Sequence, residues 1–180
     1  ETYPLVSIVT PTFPGREAWL ARRRQGIGAS DAPGVLGVSP WYSPFTIYCD
    51  KLGIEKRPDE AQKRSERMKW GSLLQDPIAK ELAARLKVTI QLYPPTTIWS
   101  NKIVPWLMAS LDGETVMDGL KGAVEIKTAS IFERKTWTQE GEVPLPYQVQ
   151  CQHQMAATGY QFVLIGVLIG TEELRHTIVE

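Results

Sequence analysis

The chain has 180 residues, of which 43% are hydrophobic and 22% are charged. These proportions fit one globular domain with a substantial core and exclude a disordered or collagen-like chain. The 20 basic and 20 acidic residues cancel, so an anionic partner must be met by a local patch, for which Arg22, Arg23 and Arg24 are the candidates.

Cysteine and hydropathy patterns narrow the setting of the protein. With 2 cysteines, 2 isolated histidines and no CxxC motif, the sequence supports neither a disulfide framework nor a zinc or iron–sulfur site. The most apolar stretch, residues 162–169, is too short to span a bilayer, and the first residues lack the layout of a signal peptide. We therefore expect a protein of a reducing cytoplasm, without a membrane partner.

The N-terminal part of the chain predicts an arm followed by helices. Residues 1–15, rich in Pro and Thr, predict an extended arm, and residues 16–24 predict a helix. In residues 26–37 glycines loosen the backbone, and Ser30 or Asp31 can cap a short helix.

Two further helices follow, and the first of them has clear end signals. Ser43 is its expected N-cap and Gly53 its expected stop. Residues 59–86 then form a long helical pattern, in which Gly71 and Pro77 are candidate breaks.

After this helix the apolar period changes from helical to alternating, which predicts strands. The pairs Asp118-Gly119 and Lys121-Gly122 supply the turn that folds residues 107–117 back against residues 123–128 as a hairpin. A helix over residues 146–158 separates the last two strands from the others. This order of elements predicts an α+β fold, or a mixed-sheet α/β fold, in one domain. The strand candidates are residues 88–92, 97–99, 106–111, 122–128, 161–169 and 173–179.

The predicted hairpin brings three charged residues together. Asp112 can approach Glu125 and Lys127 at the end of paired strands. Two carboxylates there make an oxygen-rich pocket for a hard divalent cation such as Mg²⁺, and the ammonium group beside them can steady a phosphate or the attacking water. The alternative is a cross-strand salt bridge on a solvated face, which is the commoner meaning of an isolated Glu-x-Lys.

Asp112, followed by Glu125-Ile126-Lys127, fits the D-Xn-(D/E)-x-K pattern of the PD-(D/E)XK nucleases. Over residues 16–170 the sequence resembles the YqaJ-type viral recombinase family, to which lambda exonuclease belongs. The resemblance implies a restriction-endonuclease-like PD-(D/E)XK core with N-terminal helices. It is carried by five ordered blocks, WLARRRQGIGASDAPGVLGVSPWYSPFTIYCDKLG, MKWGSLLQDPIAKEL, ASLDG, GAVEIKTAS and PYQVQCQHQMAATG.

The resemblance also implies roles for individual residues. Asp112, Glu125 and the main-chain carbonyl of Ile126 would bind the metal ion, and Lys127 would be the catalytic lysine. The alternative for these residues remains surface charge pairing.

The block PYQVQCQHQ matches the Tyr-x-x-Q-x-Q helix of the family. By this resemblance Tyr147 and Gln150 would reach the scissile phosphate, with Gln152 as a further candidate. Tyr147, Gln150 and Gln154 fall on one helical face. The alternative is a helix that is merely polar on one side.

Three residues resemble the family's pocket for the 5′-phosphate of DNA, namely Arg23, Ser30 and Ser110. Arginine grips phosphate through two hydrogen bonds, and a helix start with a hydroxyl cap favours an anion. The alternatives are that Ser30 is an ordinary N-cap, and that Arg22 and Arg24 contact the DNA backbone or are solvated.

Gln75 departs from the family pattern. The family has a metal-binding glutamate five residues after the tryptophan of its WG element, which here is Trp70. The amide offers an oxygen but removes one negative charge, and neither Asp76 nor Glu81 shares its helical face. Metal affinity or water activation is expected to suffer, whether the site tolerates the amide, the chain is an attenuated natural member or the glutamine is engineered.

Taken together, the resemblance implies a Mg²⁺-dependent exonuclease, with Mn²⁺ as a substitute, in one nuclease domain over residues 1–180. It would act 5′-to-3′ on linear double-stranded DNA in phage-type recombination, inside the bacterial host cell. A single-strand annealing protein is the implied partner, and a homo-oligomer, a trimer by analogy, is the implied assembly. Because the chain stops directly after a predicted strand, a further C-terminal segment is expected.

Rival functions differ from this one in class. One is an endonuclease of the same superfamily, because metal chemistry alone does not distinguish exonuclease from endonuclease. Another is a catalytically silent DNA-binding module, made plausible by Gln75. A glycosyltransferase, suggested by residues 4–13, is disfavoured because the chain has no DxD motif.

Overall fold

Five α-helices occur in the part of the chain that this computed structural model describes, which is residues 7–10, 12–54, 66–137 and 142–180. The third helix has the ends that the sequence predicts. Ser43 accepts a hydrogen bond from the Thr46 N–H at its start, and Gly53, with a left-handed φ of 69°, ends it. The helices are α1 (Arg16–Arg23), α2 (Ala32–Val35), α3 (Pro44–Leu52), α4 (Glu66–Leu86) and α5 (Leu145–Thr158), with a 3₁₀ turn at Ile131–Glu133.

The described strands form two sheets. They are β1 (Ser7–Thr10), β2 (Ile90–Leu92), β3 (Ile98–Asn101), β4 (Met108–Ala109), β5 (Gly113–Met117), β6 (Leu120–Ala129), β7 (Phe162–Ile169) and β8 (Glu173–Val179). The central sheet has the order β2-β5-β6-β7-β8, and the small sheet has the order β1-β3-β4. In the central sheet β6 and β7 run parallel, while the other neighbours are antiparallel. This mixed sheet with helices confirms the α+β prediction.

The β5–β6 hairpin sets the position of the acidic residues. Asp118 (φ 51°) and Gly119 (φ 78°) both have a left-handed backbone, as a two-residue turn of type I′ requires. The resulting register pairs Gly113 with Val124. Asp112, one residue before β5, therefore lies beside the middle of β6.

Helices cover the central sheet on both faces. On one face, α5, the crossover between the parallel strands, packs on a core that includes Ala123 and Cys151. On the other face, α4 packs on a core that includes Leu82 and Val124. Because side chains alternate along a strand, Glu125 shares the face of Ala123 and points toward α5.

Several expected boundaries are wrong. Residues 107–117 do not form one strand, because β4 pairs with β3 in the small sheet and β5 begins at Gly113 in the central sheet. The N-terminal arm contains β1, which pairs with β3. Helix α4 continues through Gly71 and Pro77, since Pro77 is exposed and the carbonyl that loses its partner can be hydrated. Residues 59–65 of the predicted helix lie outside the described residues.

Among the helices in the described ranges, none has an apolar run long enough to cross a bilayer.

Candidate active site

Glu125 is the centre of a hydrogen-bonded cluster in the middle of β6. Its side chain is buried, with 4% of its surface exposed. The Lys127 ammonium contacts Oε1 at short range, the Gln150 amide donates to Oε1 at 2.7 Å, and the Gln154 amide donates to Oε2 at 2.6 Å. Both oxygens of a buried carboxylate are thus satisfied, which burial of a charge requires.

Asp112 is fixed against the same strand by a main-chain hydrogen bond. Its Oδ2 accepts from the Ile126 N–H at 2.7 Å. Burial and the nearby Glu125 raise the pKa of Asp112 to about 7, although Lys127 and the Ile126 N–H act in the opposite direction. The hairpin therefore holds two acidic groups close enough to repel each other.

Lys127 is the positive charge between these groups. Burial alone lowers the pKa of Lys127, but Glu125 and Asp112 outweigh it and raise the pKa to about 12. The ammonium therefore stays charged near neutral pH. It also donates to Gln150 Oε1 at 3.2 Å and lies 5.2 Å from the centre of the Tyr147 ring.

A cleft of about 360 Å³ opens onto this cluster between α4 and β6. Asp112, Glu125, Lys127 and Gln75 all line it. The Gln75 side chain forms a hydrogen bond that lowers the pKa of Asp112. The position that departs from the family pattern thus faces the acidic pair.

The side chains at this cleft that could bind a metal ion offer oxygen atoms, and two of them, Asp112 and Glu125, are carboxylates. Within the described ranges, no group of three or more His, Cys, Asp or Glu side chains is arranged to hold a metal ion. The neighbours of Gln75 supply no third carboxylate, because Asp76 pairs with Lys80 at 2.6 Å and Glu81 pairs with Arg85 at 2.7 Å on the exposed side of α4. A hard cation such as Mg²⁺ fits this oxygen set, with fewer negative charges than three acidic residues would give.

A second cavity, of about 120 Å³, brings Arg23, Ser30 and Ser110 together. Trp19 and Gln150 line it as well, so the cavity reaches the side chain that contacts Glu125. The Arg23 guanidinium donates to Ser30 Oγ at 3.0 Å and lies 4.6 Å from the centre of the Trp19 ring. We call this cavity the arginine pocket.

Asp31 supports the arginine pocket from beneath, and the sequence does not indicate that role. It is fully buried and pairs with Arg23 at 3.1 Å and with Lys51 at 2.5 Å. The prediction that Asp31 caps α2 with its side chain is wrong. Its Oδ2 instead accepts a hydrogen bond from the Gly28 N–H at 2.9 Å. Ser30 likewise accepts from Arg23. The one available signal is an acidic residue next to Ser30 in a glycine-rich, otherwise apolar segment.

Helix α5 presents Gln150 and Gln154 to the cluster, as the helical spacing predicts, but not Gln152. Gln152 is exposed and donates to the Glu180 carbonyl at 2.8 Å, so it lies away from the cluster. Gln154 takes its place and is fully buried. Its amide oxygen has no hydrogen-bond partner among the described residues, a cost of about 1–3 kcal/mol that the fold accepts while the amide nitrogen donates to Glu125.

Arg22 also lies outside the arginine pocket. It donates to Gln25 Oε1 at 2.9 Å and to Ser100 Oγ at 3.1 Å. Of the arginine run, Arg23 is the member that lines the cavity.

Fold and sequence together define the class of this protein. Residues 18–161 match the YqaJ-like viral recombinase domain, and the chain belongs to that family. Its fold is shared with an alkaline exonuclease, LHK-Exo from Laribacter hongkongensis, a PD-(D/E)XK fold. The structures of LHK-Exo alone and in complex with dAMP each give a TM-score of 0.70 at 19% identity, over 92% of this chain and 82% of the other.

A relative in sequence is the uncharacterized protein YqaJ of Bacillus subtilis (strain 168). It is 36% identical over 157 residues, which make up 86% of this chain and 47% of YqaJ. The chain therefore spans about half the length of this relative.

Proposed function

We propose that this domain is a metal-dependent deoxyribonuclease that digests linear double-stranded DNA from a 5′-phosphorylated end. One observation supports the proposal most directly. The acidic pair, its lysine and a glutamine from α5 meet at one cleft, and the same glutamine lines the arginine pocket. Family membership and a fold shared with an alkaline exonuclease agree with this reading.

The protein groups divide the work of hydrolysis among them. Water forms a bond to phosphorus, the bond from phosphorus to a bridging oxygen breaks, and that oxygen takes up a proton. The Lys127 ammonium steadies the charge that develops on the phosphate or orients the water. Gln150 and Gln154 hold Glu125 in place, while Tyr147 packs beside the lysine and Gln150 adds an amide near the phosphate.

Asp112, Glu125, the Ile126 carbonyl and the Gln75 amide are the oxygen groups that would hold a Mg²⁺ or Mn²⁺ ion. A bound ion supplies Lewis acidity and a more acidic water. Burial and Glu125 raise the pKa of Asp112 in the absence of a cation. A cation bound beside the two carboxylates would lower this pKa again, because it favours the ionised form of a carboxyl group.

The arginine pocket supports action at an end rather than within a strand. Arg23, Ser30 and Ser110 offer a guanidinium and two hydroxyl groups, which suit a terminal phosphate. By family, we assign the domain a 5′-to-3′ polarity and a place in phage-type recombination. Its partners would be an annealing protein for the remaining strand and further copies of this chain.

A gel assay with end-labelled DNA tests the activity. Linear duplex, with and without a 5′-phosphate, is compared with covalently closed circles, in the presence and absence of Mg²⁺ or Mn²⁺. We expect digestion only with metal, preferentially of the phosphorylated linear duplex. Equal digestion of circles would indicate an endonuclease, and binding without digestion in either metal would indicate a silent DNA-binding module.

Two lysine variants distinguish a loss of the proposed chemistry from a loss of the folded structure. We expect Lys127→Met to lower the digestion rate by about 100-fold or more, because it removes the charged donor at the cleft. Lys121→Met is the matched control, since Lys121 is exposed and contacts Glu114 at 3.7 Å, away from the cleft. Equal loss in both variants would contradict the assignment of Lys127.

A further inference from the structure

A third cleft, of about 320 Å³, adjoins the two cavities already described. Its walls are mainly flat or apolar side chains contributed by segments distant in sequence. We call it the aromatic cleft. These side chains are Pro33, Trp41, Tyr42, Met68, Pro146 and Tyr147.

The position of the aromatic cleft is defined by the residues it shares with its neighbours. It shares Ser30 and Gln150 with the arginine pocket. It shares Met68 and Lys127 with the cleft at the acidic pair. A ligand that extends from the arginine pocket to the acidic pair therefore passes its walls.

Three aromatic rings beside this cleft, those of Trp137, Tyr147 and Trp41, contact one another in a row. Trp137 stacks on Tyr147 with centres 5.0 Å apart, and Trp41 lies 6.1 Å from Tyr147 on a tilted plane. Trp137 is buried, whereas Trp41 keeps 55% of its surface exposed. The row is thus anchored in the core at one end and offers aromatic surface to a ligand at the other.

We propose that the aromatic cleft is the subsite for the base of the 5′-terminal nucleotide, which stacks on the Trp41 ring. This inference rests on the proposed function. A single nucleoside separates a terminal phosphate from the next phosphate along a DNA strand. If these phosphates occupy the arginine pocket and the site at Lys127, the base between them lies at the cleft that adjoins both. Stacking would accept any base, because every base has a π face.

Binding of modified duplexes tests this subsite without requiring hydrolysis. Two fluorescent linear duplexes carry a 5′-phosphate, and they differ in whether the terminal nucleotide bears a base or is abasic. Their affinities are measured by anisotropy in Ca²⁺. We expect the wild-type protein to bind the base-bearing duplex about 5- to 100-fold more tightly. Trp41→Ala should remove most of this difference, and Trp41→Phe should keep most of it.

Phe45→Ala is the matched control. Phe45 is also an exposed aromatic residue, with 72% of its surface accessible, and it stacks on Tyr48 rather than lining the cleft. Its substitution should leave the difference between the two duplexes unchanged. A wild-type protein indifferent to the base, or a Trp41→Ala variant that weakens both duplexes equally, would overturn the subsite alone. Failure of the wild-type protein to bind either duplex would contradict the proposed function as well.

Discussion

At the scale of single residues, Gln75 decides how much negative charge the cleft can offer to a cation. It faces Asp112 from α4. Its two acidic neighbours on the helix are engaged in exposed ion pairs with lysine and arginine. A change at this position therefore alters the acidic pair directly, without help from nearby side chains.

Gln75→Glu should raise the rate of metal-dependent digestion by about tenfold or more at limiting Mg²⁺, because a third carboxylate strengthens cation binding. The measurement is the initial rate as a function of Mg²⁺ concentration. Gln161→Glu, at an exposed position outside the cleft, controls for the added charge. An unchanged rate would show that Gln75 does not belong to a metal site, whereas activity gained from a silent wild-type protein would support the attenuated reading.

His153 links α5 to the segment before Ser110. Its Nε2 lies 3.0 Å from both the Ile27 and the Met108 carbonyl oxygens. Burial lowers the pKa of His153 below its ordinary value of 6.5, against the opposing effect of the two carbonyls and of Asp31. Since the folded pKa lies below the unfolded one, stability is highest above about pH 6.5 and is lost as pH falls from there through the lower folded pKa.

We therefore expect the free energy of unfolding of the wild-type protein to fall more than that of His153→Gln between pH 7.5 and 5.5. Urea denaturation at the two pH values gives this difference. His176→Gln, at an exposed position on β8, should behave like the wild type. Parallel behaviour of the wild-type protein and His153→Gln would show that the histidine is not held neutral.

At the scale of elements, the contact between α4 and the central sheet depends on a glycine. A Cβ built at Gly166 of β7 would lie 2.2 Å from Leu82 Cδ1. Leu82 is fully buried and sits in the same core as Val124. The glycine therefore permits the close approach that places α4, and with it Gln75, against the strands.

Gly166→Ala should lower the free energy of unfolding by about 1–3 kcal/mol, because the added methyl group overpacks this contact. The urea midpoint reports the change. Gly71→Ala is the paired variant, since its Cβ would meet Thr128 Oγ1 at an ordinary 3.6 Å within a helix. A gain of up to about 1 kcal/mol is expected there. A stable Gly166→Ala protein would mean that α4 can shift away without cost.

Local signals predicted the elements that have local causes. Ser43 and Gly53 mark the ends of α3, and the pair at 118–119 marks the hairpin, because caps and turns depend on neighbouring residues. The division of residues 107–117 between two sheets was not predictable, since it depends on pairing with β3. Pairing between distant segments leaves little trace in either segment alone.

The candidate site divides in the same way. The spacing of Asp112, Glu125 and Lys127 predicted that their charged side chains lie close together, because a hairpin fixes which residues face each other across two strands. The support from Asp31 was missed, and Gln154 was placed on the face of Tyr147 and Gln150 without a role. Each acts on a residue whose position is known only after folding. The helical spacing shows which glutamines of α5 share a face. The position of the Glu125 carboxylate, which depends on folding, determines which of them form hydrogen bonds with it.

At the scale of the whole molecule, the three cavities follow a path around Gln150 and Lys127. The arginine pocket, the aromatic cleft and the cleft at the acidic pair are adjacent through shared walls. They draw on α1, the segment before α3, α4, β6 and α5. Arg23 and Lys127 both lie along this path, although the chain as a whole has no net charge.

The parallel pairing of β6 and β7 also governs how the site comes into being. Arg23 and Gln150 line the same cavity but are separated by most of the sequence. Strand β6 gains its second neighbour only after α5 has crossed over. Such long-range closure is slow and cooperative. No excised peptide would carry a portion of this chemistry, and a nascent chain acquires it only when β7 has emerged.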